Sequence, residues 1–251
     1  MTGLRGRESR PIRRVEADTG AEIDRGAWWA QIPAIAAVLE HGLNIPAGVT
    51  FLVGENGSGK STLVEALAAV HGLNPEGGSR SARHSTRVTE SALGDALRVI
   101  RTPGRAVNSY FLRAETMHGL YTYLEGLPGG PDQDLHDRSH GEGFLELLDR
   151  KFRGYGFYLM DEPEAPLSFT STLGLLSRLD GLRADGAQVV VATHSPVLTA
   201  LPGATILELS GQGIRKATWD ELEIVGHWRR FLDRPDAYLR ALLSDRPPPA
   251  G

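Results

Sequence analysis

The chain has 251 residues, no cysteine, and 27 cationic against 31 acidic side chains for a formal charge of −4. The missing thiols exclude a disulfide framework, thiolate metal sites and a cysteine nucleophile. The near balance of charge argues against wholesale binding to nucleic acid or an anionic membrane. At 41% apolar and 23% charged residues, a chain of this length buries a full core, and one α/β domain with insertions is the natural expectation.

Residues 1–24 carry Arg5, Arg7, Arg10, Arg13 and Arg14 with little apolar patterning. They read as a mobile basic tail that closes in an edge strand around 12–17, without the apolar stretch of a secretory signal. No apolar run approaches the ~18 residues of a membrane span, so no transmembrane segment is expected. Val49–Val53 is a short β-rich run stopped by Gly54, hence a buried strand. Leu63, Val64, Leu67 and Ala68 have helical spacing within Ser61–Val70, and Gly72 ends that helix. Residues 73–90, rich in Gly, Ser and Arg, read as a surface loop. A strand over 107–112, a helix over 116–124 and a Pro-Gly loop over 126–138 follow.

Phe144, Leu145, Leu147 and Leu148 mark the apolar side of a helix over 143–152. A strand over 157–160, a helix over 168–184, a continuously apolar strand over 188–192 and a strand over 204–209 come next. Helices over 219–232 and 236–243 close the domain, and the proline-rich 245–251 reads as a second tail. Residues 25–244 are thus expected as a single domain. Strands alternating with helices predict an α/β fold with a mostly parallel sheet covered on both faces.

Chemistry concentrates at three strand ends. Gly54-Glu55-Asn56-Gly57-Ser58-Gly59-Lys60-Ser61 fits G-x-x-x-x-G-K-[ST] between a strand and a helix, the context of a phosphate-binding loop, and Thr62 continues it. Its glycines let successive N–H groups turn toward a phosphate, and the helix N-terminus adds its positive end. Lys60 is one of only three lysines in this arginine-dominated chain. It reaches the β- and γ-phosphates, and the Ser61 hydroxyl ligates Mg²⁺. Asp161-Glu162 follows the second strand. Asp161 stands where ligands bind in α/β sheets and is a candidate for the Mg²⁺ shell, with Glu162 the group to polarise an attacking water. His194, after the third strand, is the candidate to contact the γ-phosphate or orient water.

The order of these motifs resembles the ABC-type ATPases, and it looks closest to the soluble, SMC-like branch of AAA-family ATPases. The resemblance rests on Gly54–Thr62, Ser139-His140-Gly141-Glu142, Asp161-Glu162-Pro163-Glu164 and Thr193-His194-Ser195-Pro196. It implies a P-loop NTPase fold with an N-terminal antiparallel β part, binding of ATP with Mg²⁺, and ATP hydrolysis in the cytoplasm. It also implies an ATP-dependent head-to-tail homodimer in which Ser139, His140, Gly141 and Glu142 complete the partner's site. His140 and Arg138 depart from the family's usual Gly and Leu. The stretch from Ser61 to Ser139 is broken by Gly and Pro and leaves no room for a coiled-coil arm. A nucleic acid or partner protein enters by analogy alone, and the alternative is the nucleotide-binding subunit of a transporter.

Three positions stay open at this level. Where the family carries a Gln there is Arg113-Ala114-Glu115, in which Glu115 substitutes, Arg113 contacts phosphate, or the pair caps a surface helix. Ser168 stands where the family has the Asp of its dimer-seam loop. Trp28 or Trp29 either stacks on adenine or anchors the N-terminal strands to the core.

Overall fold

The computed structural model describes residues 10–75, 77–78, 92–103, 108–115 and 140–244, without the side chains of 140–143 and 241–244. Ser139, the expected helix over 116–124, the loop over 126–138, most of the loop over 73–90 and the tail over 245–251 lie outside the described residues.

The chain opens with β1 (Ile12–Ala17), a 3₁₀ turn (Trp28–Gln31) and α1 (Pro33–His41), which starts on a proline whose missing N–H costs nothing at that position. Then come β2 (Leu43–Asn44), β3 (Gly48–Val53) and α2 (Lys60–His71). The short α3 (Leu93–Ala96) leads into β4 (Leu97–Arg101), followed by β5 (Asn108–Arg113), α4 (His140–Lys151) and β6 (Gly156–Asp161). The rest is α5 (Phe169–Ala184), β7 (Gln188–Ala192), β8 (Thr205–Ser210), β9 (Gly213–Ala217), α6 (Glu223–Asp233) and α7 (Pro235–Ser244).

Six strands form the main sheet in the order β5-β6-β7-β3-β8-β9. All neighbours are parallel except β8 and β9, which make an antiparallel hairpin. A separate antiparallel sheet runs β2-β1-β4. This is the α/β P-loop architecture with an antiparallel N-terminal part.

The central strands are mostly apolar because both of their faces are covered, with Thr50, Asp161 and Gln188 the buried polar exceptions. Successive side chains feed opposite cores. Val49, Phe51, Val53, Tyr158, Met160, Val189 and Val191 pack with α4, α5 and the start of α6. Leu52, Phe157, Leu159, Val190 and Ala192 pack with α1, α2 and the N-terminal sheet.

The strand expected over 12–17 is present as β1, but it is neither an edge strand nor the end of a mobile tail. β1 is the central strand of its sheet, and Ile12 and Val15 are fully buried. Gln188, buried at the start of β7, explains how the two sheets lock. Its side chain accepts from the Ile12 N–H at 2.9 Å and donates to the carbonyls of Ile12, Ile45 and Pro46. Each of these backbone groups would otherwise be a buried polar atom left unpaired.

The helix expected over 219–232 is divided. Residues 219–221 form a 3₁₀ turn capped reciprocally by Thr218 and Glu221, Leu222 is extended, and α6 starts at Glu223.

Candidate active site

Sheet register gathers the site. Arg113, Asp161 and Ala192 are paired neighbours on β5, β6 and β7, and Ala192 also pairs with Leu52 on β3. The residues that follow on each strand therefore emerge together at one edge, beside the turn between β3 and α2.

That turn, residues 54–59, requires glycine at its ends. A Cβ on Gly54 would stand 2.2 Å from the Leu209 carbonyl oxygen, and one on Gly59, at φ +95°, 2.9 Å from Ile32 Cγ2. The Ser58 N–H donates to the Glu55 carbonyl at 3.1 Å, closing the loop on itself. The Ser58 hydroxyl is buried without a hydrogen-bond partner, so a donor in the loop stands unused.

Lys60 is only 4% exposed. Its Nζ donates to the Gly54 carbonyl at 2.7 Å and the Glu55 carbonyl at 3.0 Å. Burial pushes the ammonium pKa down, while the carboxylates of Glu162 and Asp161 pull it up. Phosphate oxygens seated in the loop would offer this cation stronger, charge-assisted acceptors than the neutral carbonyls it now holds.

Ser61 Oγ donates to Asp161 Oδ1 at 3.1 Å. Asp161 is buried, and that burial pushes its pKa up to about 6, against the lowering effect of Arg113 and of the Ser61 hydrogen bond. One hydroxyl and one carboxylate oxygen converge here, and no group of three or more His, Asp or Glu side chains suited to a metal occurs among the described residues. Such a sparse oxygen donor set fits Mg²⁺, which keeps waters and takes substrate phosphate oxygens for the rest of its shell.

Glu162 adopts φ +49°, the only non-glycine residue among those described with a positive φ. Its N–H donates to the Ala192 carbonyl at 2.9 Å, fixing the turn against β7. A left-handed glutamate ahead of a proline is a strained backbone held by its surroundings, a condition that recurs at functional sites. Glu162 Oε1 lies 3.4 Å from His194 Nε2, within ion-pair range but without a hydrogen bond. Both side chains are partly exposed, as groups that meet a substrate must be.

Glu164 was singled out in the sequence only as part of a motif, and the structure gives it a positioning role. Its Oε1 accepts from the Thr193 hydroxyl and from the His194 N–H at 2.9 Å. The β6 turn thereby holds the loop that carries His194. Its Oε2 is buried and unpaired.

The open positions resolve differently. Arg113, rather than Glu115, faces the buried aspartate: its Nε lies 3.7 Å from Asp161 Oδ2, while other guanidinium nitrogens pair with Glu65 at 2.6 Å and with exposed Glu115 at 3.3 Å. Glu65, on α2, carried no signal beyond an acidic residue on a helix. Ser168 caps α5, accepting from the Ser171 N–H at 3.2 Å. Trp29 is buried and serves as an anchor, whereas Trp28 is 65% exposed. Gly141 and Glu142 stand in the first turn of α4, which opens at His140.

A cleft of about 580 Å³ runs from residues 53–58 and His194 to Pro33, Glu208, Arg215, Glu223 and Ile224. Its far wall is the β8–β9 hairpin, across which Arg215 and Glu208 form an ion pair.

Residues 39–109 match the AAA domain family. The chain is 28% identical over 165 residues to the ribose import ATP-binding protein RbsA of Chromobacterium violaceum, covering 57% of this chain and 33% of that protein. It is 29% identical over 187 residues to the arabinose import ATP-binding protein AraG of Azospirillum brasilense, covering 64% and 35%. A solved ABC transporter assigned to the metal-chelate type, in an inward-facing conformation, gives a TM-score of 0.42 at 18% identity, covering 72% of this chain and 76% of that one. The chain thus spans about a third of the length of the curated relatives it matches. With the glycine-rich loop and its buried lysine and aspartate in view, the chain is similar over these stretches to ATP-binding proteins of importers, and its phosphate loop lies within the AAA-domain match.

Proposed function

We propose that the chain binds MgATP in the loop of residues 54–62 and hydrolyses it, and that a second copy completes each site. The observation that carries this reading is the convergence at one sheet edge of a buried Lys60, the Ser61–Asp161 contact and the Glu162–His194 pair. Lys60 and the loop N–H groups take the β- and γ-phosphates. Ser61 and Asp161 hold Mg²⁺, which supplies positive charge to the phosphate oxygens. Glu162 accepts the proton of the attacking water, and His194 sits beside it to orient that water or the γ-phosphate. The nucleoside end extends into the cleft walled by Pro33 and Ile224, with the exposed Trp28 a short stretch of chain before Pro33.

The second copy enters because the resemblance implies that donors for the outer side of the γ-phosphate come from the signature segment of a partner. The N-terminus of α4, carrying Gly141 and Glu142 and preceded by Ser139, offers them from the partner. Two such sites share one closed two-fold seam, so ATP bound across it stabilises the dimer by linkage. Light scattering on Glu162→Gln tests this: the mass should double with MgATP and stay that of a monomer without it. An unchanged mass under saturating nucleotide would remove the dimer from the account.

The names of the relatives favour a second reading, that of an import ATP-binding subunit. No described helix is long and apolar enough to cross a membrane. Recovery of the native protein with a membrane fraction, and its release by salt, would favour the importer reading. A nucleic acid partner gains no support from these relatives.

A further inference from the structure

We propose that Arg113 is a built-in counter-ion that stands in for Mg²⁺ when the site holds no metal, and that it sets how much Mg²⁺ the protein needs to bind nucleotide. The inference rests on the reading of Ser61 and Asp161 as the metal-holding pair.

Arg113 closes β5 one strand from Asp161, in paired register with it. Its guanidinium is 20% exposed and lies between two acids that are themselves largely covered, Glu65 from α2 at 2.6 Å and Asp161 from β6 at 3.7 Å. Ser61 occupies Asp161 Oδ1, so the guanidinium faces the other oxygen, Oδ2. Asp161 therefore meets a neutral donor on one side and a fixed positive charge on the other. A buried carboxylate is costly without such a charge.

The arrangement has a consequence for metal binding. A divalent cation coordinated by Asp161 and a guanidinium a few ångströms away repel one another, and they compete for the same carboxylate charge. Glu65 gives the guanidinium a second acid to hold once the metal takes up the charge of Asp161. Arg113 thus steadies the metal-free site and opposes the metal, and Glu65 moderates that opposition. Arg113 acts through Asp161 and is a positioning residue.

Magnesium titrations of fluorescent ADP binding, paired with thermal unfolding in EDTA and in saturating MgADP, test this. Arg113→Gln should lower the unfolding temperature in EDTA, with most of the loss recovered in MgADP. Its half-saturating Mg²⁺ concentration should fall by about tenfold, a modest fraction of the interaction of unit charges at this range. Arg113→Lys should stay near wild type in Mg²⁺ requirement. Glu65→Gln, which leaves the guanidinium to Asp161 and the exposed Glu115, should raise it, and this variant carries the test if Arg113→Gln does not fold. An equal loss of stability with and without MgADP, together with an unchanged Mg²⁺ requirement in these variants, would overturn the inference alone. Binding by wild type that is indifferent to Mg²⁺ would overturn the metal reading itself, and this inference with it.

Discussion

Asp161 is the residue at which stability and ligand binding pull in opposite directions. Its folded pKa of about 6 stands above the ordinary 3.8 because burial penalises the carboxylate more than Arg113 and Ser61 relieve it. A raised carboxyl pKa favours the fold where the proton is held. This contribution is therefore fully present below pH 3.8 and is lost as pH rises through about 6. At 1.36 kcal/mol per pKa unit it is on the order of 3 kcal/mol. Metal binding needs the ionised form, so it runs the other way. Between pH 7.5 and 5 the apparent Mg²⁺ affinity of the nucleotide complex should fall by roughly tenfold, from the unit of pH lying below that pKa. Titrations on wild type and Asp161→Asn check this, since the Asn variant should lose the component that belongs to residue 161. Equal pH slopes in the two proteins would assign the effect to the nucleotide or to Lys60.

At the scale of elements, the site depends on how the turn after β6 braces the loop after β7. Glu164 accepts from both Thr193 and the His194 N–H, and Thr193 donates its own N–H to the Leu52 carbonyl of β3. Replacing Glu164 by Ala removes the acceptor for two donors. His194 should lose its fixed place beside Glu162, and turnover should fall by about tenfold to a hundredfold, with nucleotide affinity within about threefold of wild type. Glu164→Gln retains an acceptor oxygen and should recover most of the rate. If affinity and rate in Glu164→Ala drop together, the residue supports the whole site rather than the histidine.

Why some of this was legible in the sequence follows from the same elements. β3, β6 and β7 are apolar runs because both faces are covered, and each ends in a motif, so strand and chemistry announce each other. Gln188 sits in such a run as a lone polar side chain, and its partner Ile12 is 176 positions away. No local pattern reveals that pairing. β1 was legible as a strand over 12–17 but not as the central one of its sheet, because its two buried residues, Ile12 and Val15, stand three apart across a register shift and leave no period-2 alternation to read. Arg113 was legible as a departure from a family pattern, but its direction toward Asp161 depends on strand register, which the sequence does not carry.

For the whole molecule, the strand order puts β3 between β7 and β8, with β6 beyond β7. One sheet edge therefore receives the phosphate loop, the Asp161-Glu162 pair and His194 from separate segments of the chain. The N-terminal sheet, joined through Gln188 at the opposite end of β7, supports this edge without entering it. On the proposed function, this assembled edge turns over MgATP with Glu162 as the base. The direct measurement is ATP binding and single-turnover hydrolysis by wild type and Glu162→Gln under identical conditions. Nucleotide binding should be of similar strength in both proteins, and hydrolysis should be slower by roughly 10²–10⁴-fold in the variant, the range for loss of a general base. Hydrolysis by Glu162→Gln at the wild-type rate would contradict that function.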